Sequence, residues 1–301
     1  MKRKEKPFVS VVIPVLNAEQ YIDEVLTALE RQTYNADFFE TILVDNESTD
    51  ETIPLAKEYD VELLINSRSK NPYISRNMGV KKAKGEIIAF LDVTCIPIPT
   101  WMEEGVKLIQ KGADLVGGHI KFKYSSPPSI GEWYDSITFV NVKQYIEEEN
   151  AAAGGNIFLS RKVWEFTGSF PEDRRSGADI LWTKKATSMG YKLVFGEHVT
   201  VYYPARKLKG VLRKSFRVGI GHPKIWIEEN LEFHRVAWRI VEGFLPPDSD
   251  KLQQRIRQRG QKVLEGKFIL LWCIEYMSNT TRSFGRLLGL LKVYSDRLLS
   301  F

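Results

Sequence analysis

Two apolar runs of this sequence end abruptly in a carboxylate. The run within residues 87–97 stops at Asp92, and Pro97 prevents it from continuing as a central strand. The run at residues 38–44 ends in Asp45 and a polar turn. In an open α/β sheet, ligands bind outside the carboxyl ends of the strands. We therefore expect both acids at a binding edge, where Asp92 meets a metal ion or a sugar and Asp45 accepts hydrogen bonds.

Each of these side chains also has a simpler interpretation. Asp45 suits a turn or a helix cap, although residues 46–50 hold enough polar side chains to cap the next helix without it. We therefore favour a binding role for Asp45. Arg76 precedes the strand that carries Asp92, and its guanidinium suits bidentate contact with phosphate or carboxylate. A surface arginine on an amphipathic helix is an equally good interpretation.

Strands and helices alternate along the first 118 residues. Near-continuous apolar strands separated by helices favour an α/β fold with a mainly parallel sheet covered on both faces. Right-handed crossovers then bring all strand C-ends to one edge, which collects Asn17, Asp45, Asn46, Asp92 and Thr94. Strands are predicted at 9–13, 38–44, 61–65, 86–91 and 113–116. Helices are predicted at 18–31, from the cap at 48–50 to about 59, at 72–84 and at 99–111.

The second half of the chain is less regular. Residues 119–150 are rich in aromatic and polar side chains, and we predict an irregular segment there. A flexible Gly154-Gly155 pair then leads into a strand at 156–160. A helix at 179–189 and short strands at 193–195 and 199–203 follow, and the chain is mostly helical from residue 206. We therefore predict a first domain at 1–205 and a helical C-terminal extension at 206–301.

Composition excludes several classes of protein. The chain has 301 residues, a net charge of +5 and two cysteines, which offer neither a disulfide framework nor a metal cluster. A reducing compartment, the cytoplasm, is the simplest expectation. Four histidines lack the spacing of a zinc site, and no nucleic-acid recognition motif is present. No segment reaches the ~20 apolar residues that span a bilayer.

Five short motifs, in matching order and spacing, resemble those of family 2 glycosyltransferases with the GT-A fold. The resemblance covers roughly the first two-thirds of the chain. The motifs are residues 11–17, 42–50, 75–79, 90–94 and 168–172, and Gly177-Ala178-Asp179 follows at the expected distance.

The resemblance implies an inverting transfer of a sugar from a nucleotide-diphosphate donor, a UDP-sugar, to a hydroxyl of a saccharide or lipid-linked acceptor. In such an enzyme Asp45 contacts the nucleobase. The other residues that the resemblance places at the donor site are Pro14, Asn17, Arg76, Asn77, Asp92 and Thr94.

The metal ligands of the family are incomplete in this sequence. Asp92 matches the first acid of an Asp-any-Asp motif that holds Mg²⁺ or Mn²⁺, but Thr94 replaces the second acid. A family histidine corresponds best to Tyr203, with His198 nearby. Residues 199–227 contain seven Lys and Arg and no acid. We therefore expect weak metal dependence with partial substitution by these cations. A solvated or membrane-facing basic surface is the alternative.

Asp179 is the predicted catalytic base. Inverting transfer needs a carboxylate to take the proton of the acceptor hydroxyl, and Asp179 stands where relatives carry the aspartate of Gly-Glu-Asp. It also suits an N-cap of the helix that follows, and the two roles are compatible. Glu172 and Asp173 are the fallback candidates. Trp182 fits core packing better than stacking on an acceptor sugar.

The C-terminal extension has the pattern of an amphipathic surface helix. Residues 268–274 are apolar but too short to span, and leucines alternate with arginines from 282 to 299. This pattern predicts peripheral contact with an anionic membrane, the inner face of the plasma membrane, or packing against protein. A non-catalytic nucleotide- or glycan-binding subunit is the alternative function. A nucleotidyltransferase is disfavoured because no glycine-rich triphosphate loop is present.

Overall fold

The computed structural model describes residues 6–174, 176–228, 230–259 and 266–298. The chain forms two compact units. The sheet unit runs to Phe122 and resumes from Val140 to Pro204, and the helical unit combines Lys123–Phe139 with the chain from Ala205 onward. The domain boundary predicted near residue 205 stays a prediction, and the compact units place residues 123–139 with the C-terminal helices.

The sheet unit contains one eight-stranded sheet in the order β3-β2-β1-β4-β7-β6-β8-β5. Strands β1 to β4 are parallel, β7 runs antiparallel to β4 and β6, and β5 runs antiparallel to β8. The predicted α/β fold with a mainly parallel sheet is confirmed. The strands are β1 Val9–Val15, β2 Phe39–Asp45, β3 Glu62–Ile65, β4 Ile87–Leu91, β5 Ile96–Pro97, β6 Leu115–Lys123, β7 Asn156–Ser160 and β8 Leu193–Pro204.

Helices cover the sheet and build the second unit. An aromatic cluster of Phe90, Trp164, Phe170 and Trp182 packs with ring centroids 5.2 to 5.9 Å apart and anchors β4 to α7 and α8. The sheet unit holds α1 Glu19–Glu30, α2 Thr52–Ala56, α3 Pro72–Lys82, α4 Trp101–Gln110, α6 Val142–Glu149, α7 Arg161–Thr167 and α8 Ala178–Ser188. The helical unit holds α5 Ile130–Thr138, α9 Leu208–Glu228, α10 Phe233–Val241, α11 Ser249–Gln258 and α12 Phe268–Leu298.

The prediction of an irregular segment at residues 119–150 was wrong. Strand β6 continues to Lys123, and α5 and α6 fill most of the remainder. Ser129 starts α5 with a reciprocal capping box to Glu132, and Asn141 caps α6. Both signals were present in the sequence, but aromatic and proline residues obscured the helical periodicity. The two short strands predicted between 193 and 203 are one continuous strand, β8.

The strand register aligns the predicted edge. Val15 of β1 pairs with Asp45 of β2, and Val12 pairs with Phe90 of β4. Leu91 pairs with Asn156 of β7, so Asp92 immediately follows the last residue of β4 beside the start of β7. Because these strand ends share one edge, Asp45 and Asp92 lie two strands apart, a separation of roughly 10 Å.

Candidate active site

Arg76 and Asp92 form an ion pair at the carboxyl end of β4. An Nη atom of Arg76 donates to Oδ1 of Asp92 in a very short contact. Arg76 is 4% exposed, whereas the side chain of Asp92 is 43% exposed, so the pair has a buried cation and an accessible anion. Nε of Arg76 is buried and lacks a hydrogen-bond partner among the described residues. Both residues were predicted at the donor site, but their pairing was not predicted.

Asp179 lies at the start of α8 and accepts two hydrogen bonds. The hydroxyl of Tyr73 donates to Oδ1 at 2.9 Å, and the backbone N–H of Gly154 donates to Oδ2 at 2.6 Å. Burial raises the pKa of Tyr73 above its usual value, and the negative charge of Asp179 raises it further. The phenol therefore stays protonated and serves as a donor. Because Asp179 is only half-buried, its remaining lone pairs can accept a proton from a ligand.

Two adjacent glycines contact the two acidic residues. Gly154 donates its N–H to Asp179, and the carbonyl of Gly155 accepts the backbone N–H of Asp92 at 3.0 Å. A Cβ atom on Gly155 would lie 2.8 Å from Oδ2 of Asp92, and one on Gly154 would lie 3.1 Å from Cβ of Asp179. The pair was predicted to be a flexible link, and this stays a prediction. The structure shows that a side chain at Gly155 would displace the carboxylate of Asp92 and that one at Gly154 would crowd Asp179.

Tyr73 joins the two acids from the other side. Its hydroxyl binds Asp179, and its ring lies 5.4 Å from the guanidinium carbon of Arg76, which pairs with Asp92. The chain of contacts thus runs from Asp179 through Tyr73 and Arg76 to Asp92. Tyr73 was not among the predicted site residues. The signal was its position on α3 three residues before Arg76, since residues at i and i+3 share a helix face.

Asp45 is engaged in a turn. It is 1% exposed, and Ser48 donates to it twice, from its backbone N–H at 2.9 Å and from its hydroxyl at 2.5 Å. The backbone N–H of Asn17 donates to the same hydroxyl at 2.8 Å, and Oδ1 of Asn17 accepts from the N–H of Thr49. Pro14 pairs with Val44 within the strands. Contact of these residues with a nucleobase stays a prediction. The turn role that was the alternative for Asp45 is present.

Asn77 is occupied by contacts with the protein. Its amide exchanges two hydrogen bonds with the backbone of Phe170, each at 3.0 Å, and also donates to Glu172. These bonds tie α3 to the segment before α8 and so fix Tyr73 and Asp179 relative to each other. A direct donor contact of Asn77 stays a prediction, and the arrangement fits a supporting role. Trp182 is a core residue, 2% exposed, with its Nε1 donating to the carbonyl of Gly168.

Among the residues that align with the family's metal ligands, Asp92 is the one carboxylate, and a metal site there stays a prediction. Tyr203 lies one residue beyond the β5–β8 pair of Ile96 and Tyr202, beside the Asp92 turn, but it is a buried phenol packed edge-on against Phe122. His198 is exposed and lies five residues away along β8, roughly 16 Å from Tyr203, so the structure does not bring it to Asp92.

Two further observations describe the surroundings of Asp92. In the described ranges no three His, Cys, Asp or Glu side chains are grouped so that they could hold a metal ion. Oδ1 of Asp92 already faces the positive charge of Arg76, which would repel a divalent cation bound at that oxygen. Thr94 adds only a neutral hydroxyl.

The basic segment at residues 199–227 belongs mainly to α9 of the helical unit. Arg206 and Lys214 pair with the buried carboxylate of Asp135, at 3.4 and 3.9 Å. Lys214 lies 4.7 Å from the centre of the Phe139 ring, and burial, aided by the charge of Arg206, lowers the pKa of Lys214 to about 8. Two of the predicted phosphate-binding cations are thus engaged within their own unit. A role of the segment at the donor site stays a prediction.

The fold and this edge define an α/β enzyme whose polar site lies at the strand C-ends. Residues 10–166 match the family described as glycosyl transferase family 2. The chain is 38% identical over 289 residues to glycosyltransferase AglE of Haloferax volcanii, which covers 92% of this chain and 95% of AglE. The chain therefore belongs to glycosyl transferase family 2 and is a glycosyltransferase, as the sequence predicted.

Two more distant proteins share the architecture or part of the sequence. The dolichyl N-acetyl-alpha-D-glucosaminyl phosphate 3-beta-D-2,3-diacetamido-2,3-dideoxy-beta-D-glucuronosyltransferase of Methanococcus voltae is 23% identical over 266 residues, 79% of each chain. The mannosyltransferase PcManGT from Pyrobaculum calidifontis, solved in complex with GDP-Man and Mn²⁺, superposes with a TM-score of 0.60 at 19% identity, covering 97% of this chain and 88% of PcManGT. The second similarity concerns the fold alone.

Proposed function

We propose that this glycosyltransferase inverts the anomeric centre as it moves a sugar from a UDP-sugar to the hydroxyl of a saccharide or lipid-linked saccharide. The observation that carries this proposal is a continuous set of contacts between two acids. The half-buried Asp179 is linked to the ion pair of Asp92 and Arg76 through Tyr73. The lipid-linked alternative is supported by the acceptor in the name of the Methanococcus voltae relative.

In the proposed reaction, Asp179 accepts the proton of the acceptor hydroxyl while that oxygen attacks the anomeric carbon. The bond between the anomeric carbon and the diphosphate oxygen breaks on the opposite face, and the nucleoside diphosphate leaves with the electron pair. Tyr73 and Gly154 keep the carboxylate oriented through their hydrogen bonds.

The leaving diphosphate gains negative charge as the bond breaks, and this charge needs a positive partner. Arg76 is the cation at the site, and burial strengthens its field. Its Nε, which lacks a partner among the described residues, offers a donor that a ligand oxygen can satisfy. In this mechanism the diphosphate therefore meets a guanidinium rather than a protein-held cation.

The test is the pair Asp179→Asn and Asp173→Asn, which make the same chemical change six residues apart. We expect Asp179→Asn to abolish sugar transfer while nucleotide binding survives, and Asp173→Asn to keep both. Transfer would be followed by release of nucleoside diphosphate, and binding by thermal shift, since a ligand specific to the folded state raises stability. Substantial transfer by Asp179→Asn would assign the base elsewhere.

The donor nucleotide is tested in the same thermal-shift assay with a panel of UDP- and GDP-sugars. UDP-sugars should raise the melting temperature, because the proposal places the carboxylate of Asp45 against the uracil imide. Stabilisation by GDP-sugars alone would contradict the UDP assignment but would leave the role of Asp179 intact.

A further inference from the structure

Helix α12 exposes large apolar side chains along one side, in addition to those that it buries. Along its 31 residues, large apolar residues recur at three- and four-residue spacing on the exposed side. Ile269 is 75% exposed, Phe284 56% and Leu291 67%. Others on the same side are Leu270, Tyr276, Met277, Leu287, Leu288 and Tyr294. A helix on a water-facing protein surface normally shows the opposite arrangement, with its apolar stripe towards the core.

The side of α12 that faces α9 carries the buried Leu271 and Ile274 near its start and small or polar residues further along. A Cβ atom on Gly285 would lie 2.3 Å from the carbonyl oxygen of Phe216, and one on Gly289 would lie 2.2 Å from that of Ile220. The hydroxyls of Ser215 and Ser278 are 2.6 Å apart. The two helices therefore touch backbone to backbone. Small residues and hydroxyl pairs between helices, with large apolar residues outside, are the pattern of helices that pack in lipid.

Side-chain donors next to the exposed stripe form hydrogen bonds with backbone carbonyl groups of the protein. Nε1 of Trp272 donates to the carbonyl of Pro247 at 2.9 Å, and the hydroxyl of Tyr276 donates to that of Phe244 at 3.2 Å. The hydroxyl of Thr281 donates to the carbonyl of Met277 one turn earlier. These bonds satisfy side-chain donors and loop carbonyls internally, which lowers the cost of placing this surface in an apolar medium.

The charge of the chain is concentrated in the same unit. Counted on the sequence, residues 123–139 and 205–301 hold 20 Lys and Arg against 11 Asp and Glu, a net charge of +9. The remaining residues hold 23 against 27, a net charge of −4. A second copy of this surface would carry the same positive charge and repel it, whereas an anionic lipid surface would attract it.

We propose that the exposed stripe of α12 lies on the surface of an anionic bilayer, with the helix axis in the membrane plane and the apolar side chains among the lipid headgroups and upper acyl chains. Across the described ranges, no helix is both long and apolar enough to cross a membrane. Apolar residues on one side of the helix and positive charge in the surrounding unit are the two components of interfacial binding. Such a surface would hold the enzyme where lipid-linked acceptors occur.

The experiment is cosedimentation of the full chain with phosphatidylcholine vesicles, with and without phosphatidylglycerol, in the absence of any sugar donor. Its outcome is therefore independent of the transfer chemistry. We expect binding to the vesicles with phosphatidylglycerol, weakened by salt. The double variant Ile269→Ser/Leu291→Ser should bind about 10- to 100-fold more weakly, because two exposed apolar side chains no longer enter the interface.

The matched control is Phe166→Ser/Met189→Ser, which removes two exposed apolar side chains from the sheet unit. It should bind vesicles like the wild type, and both double variants should keep the wild-type melting temperature. Three results would overturn the proposal: no vesicle binding by the wild type, equal binding by the α12 variant, or a dimer abolished by the α12 substitutions in the absence of vesicle binding.

Discussion

Substitution of Tyr73 by Phe tests whether Tyr73 positions the base. The change removes one hydroxyl, which donates to Asp179 at 2.9 Å from a residue that is 5% exposed. A hydrogen bond to a charged group contributes about 1.5–3 kcal/mol, so we expect the melting temperature to fall by roughly 4–8 °C. A misoriented base should also lower kcat by about 10- to 100-fold, because small errors in geometry at the reacting atoms are costly. KM for the donor should change little, since the ion pair of Arg76 and Asp92 remains.

Tyr134→Phe is the matched control. Tyr134 is 2% exposed, and its hydroxyl donates to Glu275 of the helical unit at the same distance, 2.9 Å. Each substitution leaves its carboxylate one other partner, Arg255 for Glu275 and Gly154 for Asp179. Both variants should therefore lose similar stability in thermal unfolding, but only the first should lose kcat in a transfer assay. Wild-type kcat in Tyr73→Phe, or an equal loss in Tyr134→Phe, would refute the positioning role.

Three further outcomes are expected. Transfer should persist in EDTA because Asp92 is paired with a guanidinium, and complete loss that only Mg²⁺ or Mn²⁺ restores would contradict this. Gly155→Ala should raise KM for the donor by displacing Asp92, whereas Gly154→Ala should lower kcat by displacing Asp179; a shift of the same parameter in both would count against separate roles. Burial alone would raise the pKa of Glu132, but hydrogen bonds from two serines outweigh it and lower the pKa to about 2, so the free energy of unfolding should fall as the pH drops from about 4.5 towards 2. Glu132→Gln should lack that part of the pH dependence in urea unfolding, and identical pH profiles would contradict it.

The sheet could be predicted because its strands are almost wholly apolar and are separated by helical periodicity and glycine stops. Strand β4, for example, is buried along its whole length, and the unbroken apolar run Ile87–Leu91 predicts this. Helix α5 could not be found by the same criterion. Its core is aromatic and polar, with Asp135 and Glu132 buried, so it lacks a clean apolar stripe. Its capping box was a better local signal than its periodicity.

The site was only partly predictable for a related reason. Acids at strand ends are recognisable in a sequence because a carboxylate interrupts an apolar run, as at Asp92. The contacts that join them come from residues with ordinary alternative roles. Tyr73 looks like a core aromatic and Gly154-Gly155 looks like a hinge. Only the register of β4 with β7 brings the glycine pair to both carboxylates, and pairing register is not encoded in one local segment.

The placement of charge, more than its amount, distinguishes the two units. A nucleotide diphosphate is an anion, and the sheet unit has a net charge of −4, so we expect donor binding to need positive charge placed locally at the site. Arg76 meets this need in the proposed mechanism because a buried charge is weakly screened and acts strongly at short range. In the helical unit the positive charge is spread over many side chains, and each acts over a screening length of about 8 Å. Such a spread of charge suits an extended anionic surface better than a single phosphate group. The overall charge of +5 hides the difference between the two units. The charge of each unit, −4 and +9, is what suggests local phosphate binding in one and contact with an anionic surface in the other.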